Sequence, residues 1–361
     1  MTVTSCVEPA AERAARTWRV RVADPTNEPE WDKKISEFPE ATPFHSSAWC
    51  RVLKSTYGFR PCYVAMEGDE KLCGVLPLME ADNRPKGRRG ISLPFTDECS
   101  ALFNEPLLVD QLIESATAEG MRRQWNYLEC RGTRNGSAGR RPSLLFHGHS
   151  VDLEAGEKEL FKRFDNAAQR AIRKATRSGL TIEITTSLEG VRSFFGLHCK
   201  TRRKHGAPPQ SFAFFENIYR EILKPGRGFV AVASLGARPV SAAIFFYFGK
   251  RAIYKFGASD ERFQHLRGNN LVMWEAIRWL ANRGFSKLDL GRTSIGNEGL
   301  RRFKLSVGAS ESLVEYWKYD FRESEFVEDR DQASGWHTPL LSLLPVFVLR
   351  GVGKLMYRHL A

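Results

Sequence analysis

The sequence lacks the features of a membrane-spanning or disulfide-bonded protein. No apolar run reaches the roughly 18–20 residues of a spanning helix, and the nearest approach, 339–349, is short and contains Pro345. The seven cysteines are odd in number and form neither a Cys-x-x-Cys pair nor a Cys/His cluster at zinc spacing. Residues 1–22 carry charges and no apolar signal core. We therefore expect a reduced, cytoplasmic protein without a metal site.

The chain nevertheless has the composition of a folded protein with an anionic partner. Its 361 residues are 42% apolar and 27% charged, which favours two globular domains over a disordered chain. Lys and Arg number 54 against 42 Asp and Glu, giving a net charge of +12. This excess favours a phosphorylated ligand, a nucleic acid or a lipid surface, and charge alone does not choose among them.

A divergent repeat organises the chain. Residues 63–78 and 229–245 each predict a β-hairpin that begins with Tyr/Phe-Val-Ala, and each is followed by a third strand, a helix and a final strand. The two helices are predicted at 107–119 and 270–282, closed by Gly120 and Gly284. Repeated units of this kind predict an α+β fold with two tandem domains, each a mixed, mainly antiparallel sheet flanked by helices.

The predicted domain limits follow from this repeat. The sections are an N-terminal segment at 1–40, domain 1 at 41–155, domain 2 at 156–325 and a tail at 326–361. Domain 2 opens with a predicted helix at 157–179 whose polar face is mostly Lys and Arg, so it either binds anions or is simply solvated. The tail at 340–360 predicts a basic, apolar helix that either packs on the protein or lies on a membrane surface, giving peripheral contact at the inner membrane face.

A loop in the second copy has the character of a phosphate site. Residues 263–270 run from a strand into a helix, with Gly268 allowing close backbone approach and Arg267 available as a counter-ion. A structural turn is the alternative interpretation. The equivalent stretch of the first copy, 101–106, has no glycine and contains Glu105. This asymmetry favours donor binding in the second domain.

An ordered set of short motifs resembles the GNAT acyltransferase superfamily, and within it the FemAB-like proteins with two GNAT-like domains. The motifs are TPFHSSAW at 42–49, GVLPL at 74–78, SLPFTD at 92–97, TRRKHG at 201–206, KFGASD at 255–260, DLGRT at 289–293, and GLRRFK at 299–304 with Gly308. The resemblance implies acyl or aminoacyl transfer to an amine, with acyl-CoA as donor and aminoacyl-tRNA as the alternative. Related proteins of the exopolysaccharide and exosortase-associated type imply an amine acceptor on a glycan or other cell-envelope precursor.

Site residues are assigned from this resemblance and from residue chemistry. Gln264, Arg267, Gly268, Asn269 and Asn270 lie where GNAT proteins carry their pyrophosphate loop. The resemblance also implies that Lys304 contacts donor phosphate or the developing oxyanion. The alternative interpretation is that Lys304 is a surface lysine.

Acid–base candidates come from the residue types that an amine acceptor requires. His205 has a suitable ordinary pKa for a base, although it also fits a helix end. Asp260 and Asp289 lie at predicted strand ends, where either serves as proton acceptor or only caps a turn. Asp97, Arg202, Arg203 and Arg292 are assigned to substrate binding. A nucleophilic Cys99 is set aside, because no neighbouring histidine in the sequence supports it.

Two other functions stay open at this point. One is an aminoacyl-tRNA-dependent transferase, supported by the basic helix at 157–179 and the positive charge of the chain. The other is a degenerate domain without catalysis that binds a nucleic acid or a protein.

Overall fold

The structure, a computed structural model, describes residues 18–83, 87–132, 141–329, 331, 341 and 344–359. Its α-helices are α1 (Trp31–Ser36), α2 (Ser47–Tyr57), α3 (Leu108–Arg123), α4 (Glu157–Arg163), α5 (Asn166–Arg177), α6 (Leu188–Lys204), α7 (Phe212–Ile218), α8 (Gly268–Ala281), α9 (Glu298–Ser306) and α10 (Val346–Met356). Its strands are β1 (Arg19–Ala23), β2 (Arg60–Pro61), β3 (Tyr63–Gly68), β4 (Lys71–Leu76), β5 (Met79–Asn83), β6 (Gly87–Ile91), β7 (Leu102–Phe103), β8 (Tyr127–Arg131), β9 (Leu144–Asp152), β10 (Leu180–Thr185), β11 (Gly228–Leu235), β12 (Arg238–Phe248), β13 (Arg251–Ser259), β14 (Lys287–Ser294), β15 (Ser310–Asp320) and β16 (Glu325–Phe326).

Most strands belong to one large sheet that passes through both halves of the chain. Its order is β10-β11-β12-β13-β14-β9-β15-β8-β6-β5-β2, and β1-β3-β4-β7 form a second sheet. Strand β9, from the first half of the sequence, lies between β14 and β15, and β15 also pairs with β8. The two halves therefore exchange strands on either side of the predicted limit at 155/156.

The predicted repeat appears in the observed elements. Both hairpins form, as β3–β4 and β11–β12, and a helix and a further strand follow in each half. The prediction that Gly120 ends the first helix is wrong, because α3 continues to Arg123 and Gln124 takes the left-handed conformation at φ 59°. Gly120 instead lets Phe321 pack closely, since a Cβ there would lie 2.2 Å from the Phe321 ring.

The basic stretch predicted as one helix at 157–179 is two helices. Helix α4 ends at Arg163, and α5 begins after Asp165, whose carboxylate accepts a hydrogen bond from the backbone N–H of Ala168 at 2.6 Å. An aspartate favours this capping position over a helix interior, so it starts a new helix.

Aromatic packing joins the two halves on one face of the large sheet. The ring of Trp49 from α2 lies 5.7 Å from Phe246 of β12 and 6.1 Å from Phe214 of α7, measured between centroids. On the other face, α8 packs on β11 and β12, and α5 packs on α8. Buried apolar area of this kind is the main stabilising term, and it fixes the first half against the second. Among the described residues, no helix is long and apolar enough to cross a membrane.

Candidate active site

Strands β13 and β14 create an opening near the middle of the large sheet. They run parallel but pair only from Arg251–Lys287 to Ile253–Asp289. Strand β13 then continues to Ser259 and β14 to Ser294 without further pairing between them. Beyond the Ile253–Asp289 pair, the backbone N–H and C=O groups that face each other across the opening form no hydrogen bonds between β13 and β14. A ligand in the opening can therefore form hydrogen bonds with these groups.

A cavity of about 110 Å³ lies where this opening begins, and we call it the central cavity. Residues of both halves line it, and its charged lining consists of Glu40, Asp97, Glu98, Arg251, Asp289 and Arg292, with His45 beside them. Asp97, Asp289 and Arg292 are three of the site residues predicted from sequence. The fold brings them together although Asp97 is nearly two hundred positions away from the other two.

Asp97 faces a buried lysine across the boundary between the halves. Its Oδ2 lies 3.6 Å from Nζ of Lys255 on β13. Burial by itself raises the pKa of Asp97, but the charge of Lys255, followed by that of Arg292, holds this pKa below its usual value. The first half therefore supplies a carboxylate that is ionised at neutral pH.

Lys255 is held in place by aromatic rings and a carbonyl. Its Nζ donates to the backbone oxygen of Phe95 at 2.7 Å and lies 5.1 Å from the ring centre of Phe44 and 5.3 Å from that of Phe256. Cation–π contacts and the ion pair offset part of the cost of burying an ammonium group. Sequence reasoning missed Lys255 as a site residue, although the KFGASD motif contains it.

Lys304 on α9 supports the cavity wall from behind. Its side chain is buried, and Nζ donates to the backbone oxygens of Gly291 at 2.8 Å and Arg292 at 2.9 Å. Burial lowers the pKa of Lys304 to about 8, against the raising effect of the Asp97 and Asp289 charges. An ammonium group has three N–H donors, and two are used on the segment that lines the cavity.

Two further carboxyl groups of the cavity are easier to protonate than usual. Burial raises the pKa of Asp289, although the backbone N–H of Gly291 donates to its Oδ1 at 2.6 Å. Burial also raises the pKa of Glu98 to about 7, and the charge of Asp289 adds to this effect. A group with a pKa near 7 suits proton transfer at neutral pH. Glu98 was not predicted, because only the folded chain reveals its desolvation beside Asp289.

Arg292 presents its guanidinium group to aromatic rings. The group lies 4.0 Å from the ring centre of Phe146 on β9 and 4.8 Å from that of Tyr316 on β15. Stacking fixes the plane of the guanidinium while leaving its N–H donors available for a carboxylate or phosphate.

The predicted donor loop forms a second cavity, of about 260 Å³, which we call the donor-loop cavity. All five predicted donor-binding residues line it: Gln264, Arg267, Gly268, Asn269 and Asn270. Helix α8 starts here after Arg267, which adopts φ 64°. Its first N–H groups and partial positive charge face this loop region, and such a helix start favours an anionic group. The hydroxyl of Ser241 donates to Asn269 at 2.5 Å and orients its amide.

Asp260 lies between the donor-loop cavity and a third, basic cavity of about 540 Å³, and its carboxylate is fully engaged. Lys200 donates to Oδ2 at 2.8 Å and Arg262 donates to Oδ1 at 2.9 Å. These hydrogen bonds, that of Arg262 first, hold the pKa of Asp260 far below its usual value. Asp260 therefore forms structural ion pairs that hold Lys200 and Arg262 at the cavity wall.

The remaining predicted residues lie on or after α6. Arg203 lines the basic cavity. Arg202 instead donates to the backbone oxygen of Pro208 at 3.2 Å and to the hydroxyl of Tyr357 at 3.0 Å. His205 is exposed at the C-terminal end of α6, outside the described lining of the three cavities. The proposed roles of His205 and Arg202 stay predictions.

The structure corrects one argument about Cys99. A histidine that is distant in sequence, His45, places its Nε2 3.6 Å from the Cys99 thiol. The backbone N–H of Thr42 donates to Nδ1 of His45, so the ring proton is on Nε2, which lies 2.9 Å from the Ser100 carbonyl. Such a ring cannot take the thiol proton, and burial raises the pKa of Cys99 well above its usual value. Cys99 is therefore a structural thiol.

No group of three or more His, Cys, Asp or Glu side chains with metal-site geometry occurs in the part of the chain that the structure describes. The central cavity is lined by carboxylates and guanidinium groups, and the ammonium groups of Lys255 and Lys304 are buried against its wall. Together they suit proton transfer and the stabilisation of developing negative charge.

Comparison with known proteins finds one family model that matches the middle of the chain. Residues 162–305 match the family model described as Acetyltransferase (GNAT) domain. This part of the chain is thus similar to a GNAT acetyltransferase domain. The matched residues include β13, residues 263–270, β14 and most of α9 with Lys304. They therefore contain the lining of the donor-loop cavity and the β13–β14 side of the central cavity.

Solved structures extend the likeness in fold beyond residues 162–305 to most of the chain. FemX is 14% identical, with a TM-score of 0.66 over 84% of this chain and 98% of that chain. A tandem GNAT protein from the clavulanic acid biosynthesis pathway is 10% identical, with a TM-score of 0.53 over 84% of this chain and 98% of that chain. No curated protein matches in sequence. The prediction of an α+β, tandem GNAT-like fold is confirmed.

Proposed function

We propose that this protein is an N-acyltransferase that moves an acyl group from acyl-CoA to an amine of a cell-envelope or exopolysaccharide precursor. The observation that carries the proposal is the course of β13. Arg251 and Ile253 at its start line the central cavity, and Ser259 at its end lines the donor-loop cavity. From Ile253 to Ser259 an extended strand covers about 20 Å, a length comparable to an extended pantetheine arm.

The donor then lies along β13, with its pyrophosphate at the donor loop. The backbone N–H groups at the start of α8 and the guanidinium of Arg267 bind the phosphates. The pantetheine arm follows the opening between β13 and β14, where unpaired backbone groups accept and donate hydrogen bonds. The thioester carbonyl reaches the central cavity.

In the central cavity the acceptor amine attacks the thioester carbon. The new C–N bond forms as the C–S bond breaks, the amine gives a proton to Glu98 or Asp289, and CoA leaves as a thiolate that takes up a proton. Glu98, whose pKa is about 7, accepts this proton near neutral pH. Lys304 fixes the Gly291–Arg292 backbone and supplies positive charge close to the developing oxyanion. Asp97 and Arg292 bind the acceptor.

Donor binding is tested by calorimetric titration of the full chain with acetyl-CoA. Saturable binding is expected, and Arg267→Glu should weaken it at least tenfold. Arg283→Glu is the matched control, because Arg283 follows the far end of the same helix and stacks on Trp279 at 3.9 Å. Equal binding by the wild type and Arg267→Glu would contradict the donor assignment.

Transfer is tested with acetyl-CoA and a panel of amino sugars, free and nucleotide-linked, with mass spectrometry of the products. An increase of one acetyl group on an amine is expected, and Asp289→Asn and Glu98→Gln should slow it. No product with any amine, despite saturable acetyl-CoA binding, would favour the alternative of a binding protein with a degenerate GNAT fold.

Aminoacyl transfer from aminoacyl-tRNA is the second candidate, and α5 favours it. Arg170, Arg173, Lys174 and Arg177 are exposed on α5, and they form no ion pair with the other described residues. Helix α5 contacts the turn at Glu261–Leu266 that leads into the donor loop. A row of cations beside a donor site suits a polyanionic donor.

Titration with charged and uncharged tRNA at two salt concentrations separates the two donors. A steep loss of affinity with salt, a requirement for the aminoacyl group and silence toward acetyl-CoA would move the protein to this second class. Substituting Arg170 and Lys174 by Glu should then reduce tRNA binding and leave any acetyl-CoA binding unchanged.

A further inference from the structure

Helix α10 and the turn after it, Tyr357–His359, present three rows of residues spaced four apart. The first row, Leu349, Gly353 and Tyr357, is buried against the protein. A Cβ on Gly353 would lie 1.9 Å from the backbone oxygen of Pro209, so the helix axis approaches that loop very closely. The Tyr357 hydroxyl donates to the Pro208 oxygen at 3.1 Å. One side of α10 is therefore firmly docked.

The second row points away from the protein and is apolar. Phe347 is 74% exposed and Leu355 is 72% exposed, with the exposed Gly351 between them. At about 100° per residue, this row lies roughly 160° around the helix from the buried row. These exposed fractions are among the largest of any large apolar side chain that the structure describes. Large apolar side chains aimed at solvent along one helix mark a contact surface.

The third row is basic and borders the apolar one. It consists of Arg350, Lys354 and Arg358, and residues 344–359 contain no Asp or Glu. Lys354 and Arg358 form no ion pair with any residue that the structure describes. Their charge is available to an anionic partner, and the long aliphatic stems of both residues extend the apolar surface.

We propose that this exposed side of α10, the Phe347–Leu355 row with its basic border, binds the surface of an anionic lipid bilayer. Phe347 and Leu355 enter the boundary between headgroups and acyl chains, and the cations contact lipid phosphates. Packing on the protein and contact with a membrane are thus not alternatives for this helix, because different rows serve each one. The docked row fixes the catalytic domains at a constant height above the bilayer.

Charge favours a bilayer over a second copy of the chain on this surface. Two helices paired through their apolar rows would bring the Arg350, Lys354 and Arg358 rows of both copies together, and each chain already carries a net charge of +12. Like charges at such an interface are destabilising. An anionic surface instead complements the row.

Flotation of the full chain with lipid vesicles tests the proposal without requiring enzymatic activity. We expect binding to phosphatidylcholine vesicles that contain a third of phosphatidylglycerol and little binding to pure phosphatidylcholine. Replacing Phe347 and Leu355 together by Ser, or Lys354 by Glu, should reduce the bound fraction at least tenfold. Because these side chains are exposed, circular dichroism and the melting temperature should match the wild type.

Two further variants serve as a control and as a test for stronger binding. Leu107→Ser is the matched control, since Leu107 is 76% exposed but stands beside Glu105 and Asp110, and it should bind vesicles like the wild type. Gly351→Leu fills the gap in the apolar row and should strengthen binding. Failure of the wild type to float with anionic vesicles, or equal flotation of the double Ser variant, would overturn the proposal. A wild-type dimer that the double Ser variant makes monomeric would assign the surface to a second copy instead.

Discussion

The Asp97 carboxylate lies 3.6 Å from the Lys255 ammonium group, and this ion pair links the two halves of the chain at the central cavity. The Lys255 side chain is only 4% exposed, whereas that of Asp97 is 33% exposed and faces the cavity. The Lys255 charge is thus enclosed by protein, whereas the Asp97 carboxylate is open to the cavity. This arrangement makes the side of the cavity that we propose to bind the acceptor part of the contact between the two halves.

Asp97→Asn should destabilise the fold, because it leaves the buried Lys255 charge without a counter-ion, held only by the Phe95 carbonyl and aromatic rings. We expect a loss of about 1–3 kcal/mol in the free energy of unfolding, below the usual cost of breaking a fully buried pair because Asp97 is partly exposed. Urea unfolding measures it. Asp82→Asn, which removes the exposed pair with Arg88, should change the free energy by less than about 0.5 kcal/mol. Equal effects of the two substitutions would show that the Asp97–Lys255 pair does not stabilise the domain contact.

Gly291→Ala should cost more than Gly284→Ala, although both glycines have left-handed backbones with φ of 71° and 75°. The shared backbone cost is about 1–2 kcal/mol. A Cβ at Gly291 would also lie 2.7 Å from Oδ2 of Asp97, whereas nothing lies within 4 Å of one at Gly284. Displacing Asp97 should add about 1–3 kcal/mol to the loss of unfolding free energy. Thermal or urea unfolding of both variants measures these losses. Equal losses of unfolding free energy in Gly291→Ala and Gly284→Ala would disprove the close contact with Asp97.

Transfer should depend on pH with a narrow optimum. Its rate should rise as the pH passes the Glu98 pKa of about 7, because the base must be ionised. It should fall above pH 8, because Lys304, with a pKa of about 8, loses its charge. Glu98→Gln should lower the rate and remove the acidic limb, which a pH–rate profile would show. An unchanged acidic limb in Glu98→Gln would assign the base to another group, with Asp289 next.

Glu98 and Lys304 should make the free energy of unfolding depend on pH in opposite directions. Glu98 has a raised pKa in the folded state, so the folded state binds more protons, and this contribution to stability is lost as the pH rises from about 4.5 to 7. Lys304 has a lowered pKa, so its burial costs less as the pH rises from about 8 to 10.5. Urea midpoints of Glu98→Gln should therefore lack the decrease between pH 5 and 7. A decrease equal to that of the wild type would contradict the assignment.

Lys304→Met should impair both folding and transfer. The oxygens of Gly291 and Arg292 would lose a buried donor, which costs about 1–3 kcal/mol. Loss of a charged donor beside the reacting carbonyl should slow transfer by about 10²-fold, measured well below the melting temperature. Arg302→Met, an exposed position on the same helix, is the control and should keep both properties. Wild-type transfer by Lys304→Met would remove Lys304 from the mechanism.

Gly353→Val should release α10 from the protein, because the Pro209 oxygen occupies the place of the new side chain. Trypsin should then cleave at Arg350 and Lys354 several times faster than in the wild type. Gly351→Val is the control on the opposite side of the same helix, where nothing lies within 4 Å of a Cβ, and its cleavage rate should be unchanged. Equal rates in both variants would mean that Gly353 does not determine docking.

Local patterns in the sequence predicted most of the elements and, with the family resemblance, the fold class, although they missed the end of α3 and the break between α4 and α5. The Tyr/Phe-Val-Ala hairpins, the helix after each third strand and Gly284 follow from periodicity and from backbone preferences that act over a few residues. The predicted donor loop is equally local, because Gln264 to Asn270 are consecutive and fold around the start of α8. These features were therefore predictable, and the structure places all five residues on one cavity.

The central cavity depends on contacts between residues that are distant in sequence. Asp97 and Glu98 belong to one half, Asp289 and Arg292 to the other, and the exchange of β9 and β15 brings them together. Proton affinity there depends on desolvation and on neighbouring charges, which no sequence window contains. For the same reason Lys255 and Glu98 went unnoticed. Short-range patterns thus predict most helices and strands and the loop before α8, whereas long-range strand pairing determines which charged groups meet and how strongly each one holds its proton.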